Sequence, residues 1–128
     1  MIIPLFLCLT ISQAAVFVDD SATGANDGSS WANAFQDLQA ALANVSSGEI
    51  WVAEGHYLAG TPGNRAASFM LRDNLALYGG FLGWETSRSQ RAGTAELTVL
   101  DGDLLGNDAP AWLNRSDNSA HVVRGENV

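Results

Sequence analysis

Short apolar segments recur along this chain at a spacing in the low twenties. Ile50-Trp51-Val52-Ala53, Leu75-Ala76-Leu77-Tyr78, Leu97-Thr98-Val99-Leu100 and His121-Val122-Val123 read as strands, and glycines at Gly55, Gly79-Gly80, Gly102 and Gly125 stop them. From Val52 to Leu77 is 25 residues, from Leu77 to Val99 is 22, and from Val99 to Val122 is 23. Such a period marks a solenoid, whose units bury their apolar faces only by stacking on one another. A leucine-rich repeat has a similar period, but its fixed Leu/Asn frame is absent here. An antiparallel sandwich would join neighbouring strands by tight Asn-Gly or Asp-Gly turns, whereas these intervals are long and polar. The spacing therefore predicts an all-β chain whose segments lie above one another in parallel register, with Ser68-Phe69-Met70-Leu71 as a further strand.

The stretch before the first of these strands supplies a cap. Val16-Phe17-Val18 opens the mature chain as a short strand, and a polar, Gly-rich loop from Asp19 to Ser30 follows. Asn33 then fits an N-cap, with Gln36 completing a capping box. Phe35, Leu38 and Leu42 recur at helical spacing. The pattern predicts a one-sided helix of about three turns, with Gly48 near its end. Its apolar stripe would cover the end of the strand stack and the exposed backbone edges there.

Residues 1–14 read as a signal peptide. The run from Ile2 to Ile11 has the length of a secretory h-region and is too short to span a bilayer, and Ser12 and Ala14 suit a cleavage site after Ala14. The usual basic residue before the run is missing. The lone cysteine, Cys8, lies inside this segment, so residues 15–128 contain no disulfide. The formal net charge is −8, and all six basic residues are arginine. That balance excludes nucleic acid and an anionic membrane surface as partners, since both need a dense basic face. It suits a secreted protein.

Several motifs in order resemble a known architecture. Val16-Phe17-Val18-Asp19, the Gly24–Trp31 segment, Ile50-Trp51-Val52-Ala53-Glu54-Gly55-His56-Tyr57, and Leu77-Tyr78-Gly79-Gly80-Phe81 with Glu85, Arg88 and Arg91 are similar to the N-terminal region of bacterial secreted right-handed parallel β-helix proteins of the pectate-lyase-like superfamily. Thr98–Asp103 and Asn118–Val123 continue the likeness. The resemblance implies a right-handed parallel β-helix over residues 15–128, an N-terminal capping helix and about three coils, with further coils of the full-length chain stacking beyond. It implies less about activity, because enzymes, adhesins and surface repeats share this architecture.

Candidate chemistry is sparse. Asp101, Asp103, Asn107 and Asp108 form the densest set of oxygen ligands and could hold calcium. Leu105 breaks the EF-hand pattern, so a turn capped by its own carboxylates competes with that reading. Asp19, Asp20, Asn26 and Asp27 form a weaker set of the same kind. Asp101 and Asp103 are too close to a turn to suggest paired glycosidase carboxylates. Lyases of the resembling architecture use a basic residue, but the close pair Arg88 and Arg91 reads as a loop salt-bridged to Glu85. His56 and His121 have no partners at metal spacing. Trp51 reads as core beside the helix, while Trp84 and Trp112 lie in loops and are the candidate sugar-contacting residues.

These observations lead to an expectation of a non-catalytic, secreted or cell-surface module, structural or adhesive, that contacts polysaccharide or cell-surface glycan. The alternative is the N-terminal end of a polysaccharide lyase or glycoside hydrolase whose catalytic coils lie further along.

Overall fold

The computed structural model describes residues 14–126; the proposed leader lies almost wholly outside them. The elements in chain order are β1 (Val16–Val18), α1 (Leu38–Asn44), β2 (Gly48–Ala53), β3 (Gly55–Leu58), β4 (Phe69–Arg72), β5 (Leu75–Phe81), β6 (Thr98–Asp101) and β7 (Val123–Glu126). Two single turns of 3₁₀ helix, Arg88–Gln90 and Ala95–Leu97, lie between β5 and β6.

Every strand pairing among the described residues is parallel. The strands form three small sheets, β1-β2-β5, β3-β6 and β4-β7. The chain thus passes through the three sheets in order as β2, β3 and β4, then again as β5, β6 and β7. Parallel strands cannot be joined by a tight hairpin, and each full pass supplies the long connection that parallel pairing needs. Gly55 makes the corner between β2 and β3. Its φ of +152° is strained for a side chain, and a Cβ there would lie 2.6 Å from the Asp20 carboxylate.

The register differs from the one that the spacing predicts. Ile50 does pair with Leu77, but Val99 pairs with His56, and β7 pairs with β4 through Phe69 and Val123. The four segments are therefore spread over three sheets and do not form one stack. Long loops explain the coincidence of spacing. The loops after β5 and after β6 stretch a step between neighbouring sheets to the length expected of a full repeat, and chain length alone does not distinguish the two.

Alternation along the strands divides the molecule into two apolar layers. Val18, Ile50, Val52, Tyr57 and Phe69 point inward and are buried with Leu38, Ala41 and Leu42 of the helix. Phe17, Trp51 and Tyr78, which share one row of the first sheet, point the other way. There Phe17, Trp31, Trp51 and Phe81 form a closed ring of aromatic contacts, with centroids 4.7 to 5.7 Å apart and Trp51 stacked on Phe81 at 4.8 Å. Trp51 is thus buried, at 7% exposure, in this outer cluster and not against the helix. A register shift opposite Trp51 and Ala53, at Gly79-Gly80, makes the arrangement possible. It places Phe81 beside Trp51 on the outer face, and Gly80 takes φ +82° while its amide donates to Thr98 Oγ1.

The helix is shorter than the periodicity predicts and starts later. Asp37 is the N-cap, its side chain accepting from the Gln39 amide, and seven residues are helical. The Asn33 side chain instead accepts from the Ala25 amide. Phe35 is held extended alongside β1, donating to Phe17 O and accepting from the Asp19 amide. Backbone pairing with a strand excludes helical geometry over these residues, and it also covers the free edge of β1. Leu38, Ala41 and Leu42 still form the predicted buried stripe.

Candidate functional site

The loop after β6 gathers the predicted oxygen cluster, and the loop itself consumes much of it. Asp101 Oδ1 accepts from the Asp103 amide at 2.9 Å. Asp103 caps the turn through both oxygens, taking the Asn107 amide at 3.2 Å and the Asp108 amide at 2.9 Å. These amides, that of Asp108 foremost, hold its carboxyl below the usual range. Asp108 accepts from the Asn118 side-chain amide at 3.0 and 3.1 Å and faces Arg115 at 3.8 Å. Asn107 contributes its backbone oxygen to Asn114. Among the described residues, no three His, Cys, Asp or Glu side chains come together as a metal-binding group. Buried side-chain oxygens without a partner do occur in the same loop, at Asp117, Asn118 and Ser119. The sequence reading missed these three.

The second set does not converge. Asp19 and Asp27 each cap a turn through a serine two residues on, Ser21 and Ser29. Asn26 accepts from the Gln36 amide, and Asp20 accepts from the His56 amide at 3.2 Å. His56 Nδ1 lies 3.4 Å from Asp101 across the β3–β6 pair, a contact that links residues far apart in sequence.

Trp84 and Trp112 are both exposed, at 57% and 79%. Each is presented by an unusual loop. After β5, the Glu85 carboxylate is buried, at 1% exposure, and accepts from the amides of Leu82 at 2.7 Å and of Gly83 and Trp84 at 3.0 Å. Burial alone would push this carboxyl up. The three amides outweigh it, and the net shift is downward. The Glu85 carbonyl also accepts from the Trp31 indole at 2.8 Å, tying the loop to the aromatic cluster. Trp112 sits where Ala111, Trp112 and Asn114 all have positive φ, and the Arg115 guanidinium lies 4.2 Å above its ring. Leu105 and Leu113 are exposed in the same loop.

Glu85 is therefore not the salt-bridge partner of the arginines. Arg88 instead faces Glu49 at 3.6 Å and lies 4.6 Å over the Tyr78 ring. Arg91 donates to Gly79 O at 3.1 Å and lies 5.6 Å over Phe81. A carboxylate already shared by three amides gains little from a guanidinium, whereas the aromatic face of β5 offers both arginines a cation–π surface.

Comparison with protein-family models, with curated proteins and with solved structures finds no match to this chain.

Proposed function

We propose that the chain is the N-terminal region of a right-handed parallel β-helix and serves as a non-catalytic, secreted or cell-surface module that contacts glycans. The observation that carries this reading is the ordered parallel pairing of β2, β3 and β4 with β5, β6 and β7. Such pairing builds a stiff scaffold from short strands and leaves the connecting loops free to vary. Two of those loops hold an exposed tryptophan, one fastened by a buried carboxylate and the other by a strained backbone. A fixed aromatic surface suits sugar rings, because it loses little conformational freedom on binding. The net charge of −8 fits a soluble scaffold. Secretion rests on the apolar leader.

The test is a panel of plant and bacterial polysaccharides incubated with the protein, with and without calcium. Retention on an insoluble polysaccharide with no release of sugars is expected. Release of unsaturated or reducing sugars by this chain would refute the non-catalytic reading and favour a lyase or glycoside hydrolase.

A further inference from the structure

A cavity of about 500 Å³ opens on the outer face of β1 and β2, against the turn Thr86–Arg88. Phe17 and Trp51 line it from the strands, and Glu49, Thr86, Ser87 and Arg88 supply its polar groups. We propose that this cavity binds a neutral pyranose unit of a polysaccharide. The proposal rests on the glycan-contacting reading above and names a subsite away from both exposed tryptophans.

The walls are fixed before any ligand arrives. Trp51 is held by its stack on Phe81 and by the edge of Phe17 at 5.7 Å, and its indole donates to Glu49 Oε2 at 2.8 Å. Across the cavity, Gln90 Oε1 accepts from the amides of Thr86 at 2.7 Å and Ser87 at 3.0 Å, which pins the turn. Arg88 is held by the Tyr78 ring. Preorganisation of this kind lowers the entropic cost of binding.

The polar pair has unused capacity. Glu49 Oε1 and Arg88 Nε are 3.6 Å apart, beyond hydrogen-bonding distance. An acceptor oxygen and a guanidinium fork side by side match a vicinal diol, one hydroxyl donating to Glu49 and its neighbour accepting from Arg88. The C–H face of the ring would then rest on Phe17, which is only half-buried. Glu49 and Arg88 cancel in charge, and the protein as a whole carries −8. A polyuronate would be repelled by that field, which is why the ligand assigned is neutral.

The experiment titrates the full chain with cello-, manno- and xylohexaose, and with hexagalacturonate alongside, by isothermal titration calorimetry. At least one neutral hexasaccharide is expected to bind more tightly than the uronate. Glu49→Gln and Arg88→Met are each expected to weaken it about tenfold or more, from the loss of a charged hydrogen bond. Glu96→Gln, at an exposed position outside the cavity, is expected to leave the affinity within about twofold, as an independent position should. Near-UV circular dichroism checks that the variants fold, and Arg88→Lys, which keeps the charge but not the fork, is a second variant expected to weaken binding. Affinity unchanged in Glu49→Gln and Arg88→Met overturns the subsite, as does tighter binding of hexagalacturonate or no binding of any neutral probe. Loss of binding only in Trp84→Ala or Trp112→Ala also overturns it, while the glycan-contacting reading stands.

Discussion

Replacing Glu85 with glutamine tests the idea that one buried carboxylate holds the loop that presents Trp84. The carboxylate takes three backbone amides, those of Leu82, Gly83 and Trp84. Glutamine keeps one acceptor oxygen and turns an NH₂ group toward the remaining amides. Hydrogen bonds to a charged group contribute about 1.5–3 kcal/mol each, and a buried amide left without an acceptor costs a similar amount. Part of this is recovered as the loop relaxes, so the expected net loss is about 2–4 kcal/mol. In a domain of this size that corresponds to a fall in Tm of roughly 10 °C. The pH dependence follows from the direction of the shift. Glu85 titrates below its ordinary value of 4.5 in the folded chain, so its contribution is complete above that value. It is lost as the pH falls through the lower, folded value. Thermal unfolding of both proteins by circular dichroism, from pH 7 down to pH 3, is the assay. The gap in Tm should be wide at pH 7 and should narrow below about pH 4.5. A gap under about 2 °C at pH 7, or one that stays constant into acid, would refute the reasoning.

Three other substitutions probe the scaffold. Phe69→Ala empties a fully buried position where β4 meets the core and should cost about 3–5 kcal/mol, read as a lower urea midpoint at unchanged slope. Asp37→Ala removes the observed N-cap of α1 and should cost about 1 kcal/mol in the same assay. A change too small to measure would mean that the helix does not start there. Gly80→Ala forces a side chain into φ +82° beside Gly93 O at 3.3 Å and should destabilise by about 1–2 kcal/mol. It should also quench the near-UV signal of the Trp51–Phe81 stack, and an unaltered spectrum would count against the role given to Gly80.

Much of the local structure was legible because it depends on neighbours in sequence. The apolar run Ile50–Ala53 marked a strand, and helical spacing marked Leu38 and Leu42 as one buried face of a helix. Gly55 was read correctly as the end of a strand, but Gly79-Gly80 lie inside β5, at its register shift, and Gly125 lies inside β7. The acidic motif from Asp101 to Asp108 was visible as a cluster, and its role as a set of turn caps was the competing reading from the start.

Pairing partners were not legible, because they depend on which segments meet across loops of unrestricted length. Chain spacing alone put Leu77, Val99 and Val122 in one stack, and the tertiary fold placed Leu77 and Val99 in different sheets and Val122 just before the strand of a third. The same long-range contacts moved the helix start from Asn33 to Asp37, since Phe35 found a backbone partner in β1. They also turned Glu85 from an expected ion-pair partner into a buried acceptor of amides. They set Glu49 opposite Arg88, two residues that nothing in their sequence neighbourhoods connects. The sequence by itself marked most of the strands, because backbone preference and apolar clustering are local, but it did not mark β3 and it placed the last strand two residues early. The tertiary structure alone decided which surfaces those strands share, because register is set by contacts between residues that the chain brings together only on folding.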